Sequence, residues 1–337
     1  MNSAAALTAL IGLDWGTSSL RAFRYGAGGE VLERRQSSHG ITQLPVAGEA
    51  GFAQALVQLA GDWLVAAPHA PIVACGMVGS AQGWKEAAYV ALPVGADRLG
   101  HLGQKVCLAG VAAYLPQLSA DMWAQRTLTI LPGLIERGPA PVLPNVMRGE
   151  ETQIFGALLQ RDAPDDLIVL LPGTHSKWVR VQHGTVTHFD TFMTGEVFAA
   201  LKGHTILGRT MAAGEGFAAE AFARGLQVAA SAQGRNGVLS TIFSTRTLGL
   251  EGLLPAEQQA DYLSGLLIGH EVHAMASQLG QRQPLHEVPV WLIGSDALCA
   301  RYVTALQAAG ITELRTLPQA TEAGLWSMAS ASGLVTA

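Results

Sequence analysis

The sequence predicts an α/β protein built from two duplicated halves, and three observations carry that expectation. A turn of glycine and hydroxyl residues follows a buried apolar run twice, about half a chain apart. In both halves, strand-length apolar runs alternate with stretches of helical periodicity. The chain has 337 residues, more than one ordinary core accommodates.

The first half opens with Leu10, Ile11, Gly12 and Leu13, which deliver Asp14 and then Trp15, Gly16, Thr17, Ser18, Ser19, Leu20 and Arg21. Runs at 10–14, 19–25 and 30–36 read as a β-meander, with a turn from Gly26 to Gly29. The apolar start from Met1 to Leu10 has no basic segment before it and reads as a strand rather than a secretory leader. Phe52, Leu56, Leu59 and Trp63 share one face of a helix over 51–66. A buried strand at 71–74 runs into Cys75, and 127–131 is another, followed by the turn Pro132-Gly133 and the proline-rich Pro139, Pro141 and Pro144. A helix over 150–161 ends near Asp162-Ala163-Pro164, which marks a domain boundary.

The second half repeats the scheme. Strands at 167–171, 177–182 and 185–190 surround the turns at 172–176 and at His183-Gly184. Helices follow at 195–208, 215–230 and 253–278. A strand at 288–293 meets Gly294-Ser295-Asp296, and a helix at 297–309 follows it. The expected domains are therefore 1–163 and 164–320, with a C-terminal helix in 321–337 that packs back on the first. Its small residues Ala323, Gly324 and Ala329 suit close packing against a neighbour.

Composition narrows the function classes. Apolar residues make up 49% and charged residues 14%, as in a well-packed enzyme. A net charge of −5 offers no footprint for nucleic acid or an anionic membrane. Cys75, Cys107 and Cys299 show no metal-binding spacing and read as reduced thiols of a cytoplasmic protein. No apolar run reaches the ~20 residues of a membrane span.

The paired turns carry the chemistry. Glycine lets the backbone approach an anion, while N–H and hydroxyl groups supply donors without bulk. Gly16, Thr17 and Ser18 form the first such turn, and Gly173, Thr174 and His175 the second, so the two would grip a polyphosphate. Asp14 beside the first turn either caps it or holds hydrated magnesium, and the second turn favours magnesium. Lys177 would contact a phosphate or, at the start of a strand, point to solvent. His175 lies in no Gly-x-Ser-x-Gly elbow, which argues against a hydrolase nucleophile. Glu150 and Glu151 open a helix, where acids complement the dipole, and a carboxylate there would also orient an attacking hydroxyl. Arg148 would bind a substrate carboxylate or pair with Glu151. Ser80, Gln82 and Trp84 follow a buried strand and offer hydroxyl, amide and stacking surface to a polyol. Gly294 and Ser295 follow another and suit an adenosine.

Taken together, these motifs resemble the sugar-kinase, Hsp70 and actin superfamily, and within it the 2-dehydro-3-deoxygalactonokinase family. The residues that carry the likeness are Asp14 to Ser18, Gly76 to Trp84, Met147 to Gln153, Pro172 to Trp178, Phe192 to Glu196 and Leu292 to Ser295. The resemblance covers about residues 8–331. It implies two RNase H-like domains of the actin-like ATPase fold, with ATP and sugar in the cleft between them. It also implies ATP-dependent phosphorylation of the 6-hydroxyl of 2-dehydro-3-deoxy-galactonate, with Mg2+, in galactonate catabolism. The partner would be a small sugar acid, and a homodimer is admitted. Larger relatives carry Gly-Asp-Gln where this chain has Gly149-Glu150-Glu151, so the base would be Glu151 or Glu150, with Asp190 and Glu196 behind them. Arg148, Arg21, Lys202 and Arg209 are the candidate partners of the substrate carboxylate. A kinase of another small sugar, or an actin-like switch with slow ATPase activity, would carry the same turns.

Overall fold

The computed structural model describes residues 8–138, 143–318 and 320–336. Residues 1–7, 139–142 with Pro139 and Pro141 of the proline-rich stretch, Gln319 and Ala337 lie outside them. The first stretch runs β1 (Leu10–Trp15), β2 (Leu20–Tyr25), β3 (Val31–Ser37), α1 (Glu49–Ala66) and β4 (Ile72–Gly76). It continues through β5 (Val90–Ala91), α2 (Ala96–Gly100), β6 (Gln104–Cys107), α3 (Ala120–Gln125), β7 (Thr127–Ile130), β8 (Leu134–Glu136), β9 (Asn145–Met147) and α4 (Glu150–Ala157). The second comprises β10 (Asp166–Leu171), β11 (Ser176–Gln182), β12 (Thr185–Phe192), α5 (Thr194–His204), α6 (Ala219–Ala230), α7 (Val238–Thr241) and α8 (Ser244–Leu250). After these come α9 (Gln259–Gly280), β13 (Val290–Leu292), α10 (Asp296–Ala308), β14 (Leu314–Thr316) and α11 (Ala320–Ala331).

Contacts divide the chain into two units, Met1–Asp165 with Val181–His188 and Gln319–Ala337, and Asp166–Arg180 with Phe189–Pro318. One sheet has the order β3-β2-β1-β4-β7-β6 and another β12-β11-β10-β13-β14. Each therefore places a meander at one side and its first strand centrally, beside a strand reached by a crossover. β1 pairs antiparallel with β2 and parallel with β4, and β10 pairs parallel with β13. Parallel central strands covered by helices have both faces buried, which explains the unbroken apolar runs Leu10–Leu13 and Leu167–Leu171. A small third sheet, β5-β8-β9, lies in the first unit, where Val94 also bridges to Val186.

Each unit has its own core. In the first, Trp15, Phe52, Trp63, Trp84 and Trp123 pack with the aliphatic residues of β1, β4 and α1. In the second, Trp178, Phe222 and Tyr302 pack with α9, β10 and β13. α11 lies on α4 and β1. The contact with α4 is close enough that a Cβ on Gly324 would come within 1.8 Å of the Thr152 carbonyl oxygen.

Several sequence expectations change. The helix expected over 195–208 ends at His204, and the one expected over 215–230 begins at Ala219. The helix expected over 253–278 starts only at Gln259, because Pro255 excludes its predecessor from helical geometry and a 3-10 turn, Ala256–Gln258, intervenes. α4 ends at Ala157 rather than 161, where the N–H groups of Leu159 and Gln160 reach back three residues instead of four. The two- and three-residue strands β5, β8, β9 and β14 are too short to show an alternation in sequence.

Candidate functional site

In the first unit the site begins where β1 ends. The N–H of Gly16 donates to the Ser19 carbonyl at 2.9 Å, closing a turn in which Thr17 and Ser18 are exposed. The carbonyls of Gly16 and Thr17 accept from the N–H groups of Ile41 and Thr42, both at 3.1 Å, so the turn is held from behind. Asp14 pairs with Arg21, its register partner on β2. That contact commits Arg21, a candidate for the substrate carboxylate, to the Asp14 side chain.

Two glycines bring α4 to Asp14. Gly76 ends β4 at φ +89 beside Trp15, where a Cβ would meet the Trp15 carbonyl oxygen at 2.8 Å. Gly149 precedes α4 at φ +107, with its Cβ position 3.3 Å from the Gly76 Cα. Both conformations are costly for residues with a side chain, so the close approach requires glycine. The acids that follow turn back on their own helix start. The N–H of Gly149 donates to Glu151 Oε2 at 2.7 Å, and the N–H of Arg148 donates to Glu150 Oε2 at 3.0 Å.

The two acids nevertheless differ. Glu151 is 0% exposed. Burial, followed by the charge of Glu150, pushes its carboxyl up to about 8. Glu150 is half-buried. The buried Cys75 thiol is pushed well above its usual range by burial, then by the charges of Asp14 and Glu151. Asp14, Cys75 and the glutamates thus lie together, with the Arg21 guanidinium already paired to Asp14. Asp14 offers a single carboxylate, which suits magnesium because that ion keeps most of its waters. Among the described residues no group of three or more His, Cys, Asp or Glu side chains forms a metal cage.

The loop after β4 departs from expectation. Trp84 is 8% exposed and stacks on Phe52 at 5.7 Å, with Trp15 at its edge at 6.0 Å. It is a core residue and offers no stacking face to a polyol. Ser80 is buried and Gln82 exposed. Arg148 lies 4.3 Å over the Tyr89 ring, and its Nη2 donates to the Ala87 carbonyl at 2.8 Å. Its Nε and Nη1 are buried without a hydrogen-bond partner, as is the Ser80 hydroxyl. No Arg148–Glu151 ion pair forms among the described residues.

In the second unit, β10 leads into Pro172 and Gly173, then to the exposed Thr174 and His175. α5 presses on this turn, since a Cβ on Gly195 would lie 2.4 Å from the Gly173 carbonyl oxygen. The N–H of Glu196 donates to the Thr174 carbonyl at 3.0 Å, and the Glu196 carboxylate pairs with His175. Gly294 and Ser295 are exposed beyond β13, and the Cβ position of Gly294 is 3.4 Å from the Pro172 carbonyl oxygen. Lys177 is not a solvent-facing lysine. It is 4% exposed and donates to Thr191 Oγ1 at 2.8 Å, because the hairpin of β11 and β12 covers it. Lys202 and Arg209 are exposed, and Asp190 is half-buried on β12.

The structure therefore gathers Asp14, Gly16, Thr17, Ser18, Arg148, Glu150 and Glu151 in one unit. In the other it gathers Gly173, Thr174, His175, Gly294 and Ser295. Sequence reasoning gave Cys75, Gly76 and Thr194 no role of their own in the site and passed over Glu271. The signal for Glu271 is an acid in helical register with Leu263, Leu267 and Met275, on the apolar face of α9.

Comparison with known proteins identifies the family of the chain. The sequence profile of the 2-keto-3-deoxy-galactonokinase family matches residues 14–328. A Rhizobium meliloti (strain 1021) protein assigned as a 2-dehydro-3-deoxygalactonokinase is 40% identical over 304 residues, 89% of each chain. The Escherichia coli (strain K12) 2-dehydro-3-deoxygalactonokinase is 36% identical over 302 residues, 89% of this chain and 90% of its own. A crystal structure assigned as the same kinase from Sinorhizobium meliloti superposes with a TM-score of 0.80 at 34% identity, covering 96% of this chain and 98% of that one. With these likenesses running almost end to end, the chain belongs to the 2-keto-3-deoxy-galactonokinase family.

Proposed function

We propose that this family member transfers the γ-phosphoryl group of ATP to the 6-hydroxyl of 2-dehydro-3-deoxy-galactonate. The observation that carries the reading is the acid pair at the start of α4, fixed beside Asp14 by Gly76 and Gly149 within a chain of this family. Phosphoryl transfer asks little covalent work of a protein, and positioning with charge stabilisation supplies most of the catalysis.

Glu150 is the general base. Burial disfavours the charged form of Glu151, whereas Glu150 is the more accessible of the two. Glu150 accepts the proton of the sugar hydroxyl as that oxygen attacks the γ-phosphorus and ADP departs. The donors of Gly16, Thr17 and Ser18 and of Gly173, Thr174 and His175 receive phosphate oxygens, and Gly294 and Ser295 border the nucleoside. Magnesium, when bound, neutralises phosphate charge, and Asp14 would hold it through its waters. Arg148 shapes the sugar loop through Ala87 and Tyr89, and the exposed Gln82 contacts the sugar.

The test is ATP-dependent phosphorylation of 2-dehydro-3-deoxy-galactonate, measured beside its gluconate epimer and galactose. Strong preference for the galactonate acid is the expected result. Equal activity on neutral sugars, or steady ADP release without an acceptor, would overturn the assignment.

A further inference from the structure

We propose that Glu271, which the reaction does not touch, is a positioning residue that sets the conformation of the second anion-binding turn. The inference rests on the reading that residues 172–175 receive phosphate.

Glu271 lies in the middle of α9, 3% exposed, next to the core residues Ile268, Val272 and Met275. Burial raises its carboxyl pKa, and four side-chain donors oppose that rise. Oε1 accepts from Ser176 Oγ at 2.8 Å and from Trp178 Nε1 at 2.8 Å. Oε2 accepts from Thr194 Oγ1 and from the Tyr302 hydroxyl, the latter at 2.8 Å. An ionised carboxylate has about four acceptor sites, and here each has a donor. A protonated Glu271 would replace one acceptor site with a donor and disturb that set.

The origin of these donors makes the arrangement more than core satisfaction. Ser176 directly follows His175 and is the exit from the turn. Thr194 is the first residue of α5 and precedes Gly195 and Glu196, which touch Gly173, Thr174 and His175. One carboxylate thus fastens the exit of the turn and the helix pressed on it, while Trp178 and Tyr302 anchor that carboxylate to β11 and α10. Loosening it would displace the turn by tenths of an ångström, which is enough to weaken fixed donors to phosphate.

The experiment compares steady-state kinetics and thermal midpoints of the full-length wild type with Ser176→Ala, Thr194→Val, Tyr302→Phe, Glu271→Gln and Thr174→Ala. Ser176→Ala and Thr194→Val cut the fasteners of the turn and should each raise the KM for ATP about fivefold to tenfold, with the KM for the sugar acid within twofold. Glu271→Gln retains one acceptor oxygen and should raise the ATP KM at least as far. Tyr302→Phe removes a donor that touches no residue of the turn and should lower the thermal midpoint without raising the ATP KM more than twofold. If all four network variants lower the midpoint and leave the ATP KM unchanged while Thr174→Ala raises it, Glu271 is purely structural and the proposal fails. If Thr174→Ala also leaves the ATP KM unchanged, the reading of the turn fails and the proposal falls with it. Should Glu271→Gln not fold, the Ser176 and Thr194 variants decide the matter.

Discussion

Glu150 and Glu151 are adjacent, of one chemical type, and separated by the roughly 100° that one helical residue turns. The side chain of Glu151 enters the unit beside Cys75 and Thr152, while that of Glu150 keeps access to solvent. Glu150→Gln should lower kcat by about 10²–10⁴-fold with little change in either KM, as loss of a general base does. Glu151→Gln should be far milder in kcat and should instead register in stability. Its carboxyl stands at about 8 in the folded protein against an ordinary 4.5. Between those values the folded chain keeps a proton that the unfolded chain has released. The stability this group contributes is therefore complete below pH 4.5 and declines as pH rises towards 8. The thermal midpoint of wild type should fall more between pH 5 and 8.5 than that of Glu151→Gln. Equal falls would remove Glu151 from the account. At this scale sequence revealed residue types but not their exposure. Trp84, legible as a stacking surface, proves to be core, and Lys177, read as a phosphate contact or as solvent-facing, proves to be covered by β12 with its amine held by Thr191. Both outcomes depend on partners distant in sequence, Phe52 for one and Thr191 for the other.

The junctions between elements matter more than the elements themselves. α4 is only eight residues long, and its first turn is placed by Gly149 at a φ that other residues avoid. Gly149→Ala should cost about 1–3 kcal/mol of stability, measured by denaturant unfolding, and should lower kcat by moving Glu150. A variant of wild-type stability and rate would show that the junction tolerates a side chain. The main strands and the helices around the two turns were readable because their apolar periods are long. The three-stranded β5-β8-β9 sheet was not, since two or three residues carry no period and pair only through tertiary contact. Pro255 was visible in the sequence, but the apolar spacing continuing across it concealed the later start of α9.

Across the whole molecule, the six-stranded and five-stranded sheets share a strand order in which a meander runs into a central parallel pair; the repeated turn makes the meander in each half legible in sequence, but not the order. The assignment of Val181–His188 to the first unit was not legible, because local pattern identifies a hairpin without identifying its neighbours. α11 shows the same limit more sharply. Its small residues advertise close packing, yet only the fold reveals that Gly324 lies against Thr152 in the helix bearing the acid pair. Gly324→Val should lower the thermal midpoint by several degrees and reduce kcat, since even one methyl overpacks the contact. Unchanged values for both would mean that α4 needs no support from behind. That contact also bears on synthesis. A ribosome makes β1 and α4 early, then the entire second unit, and only afterwards the helix that backs them. During synthesis the first unit consequently keeps an uncovered apolar face until α11 has been made, so its core closes only after the whole of the second unit exists.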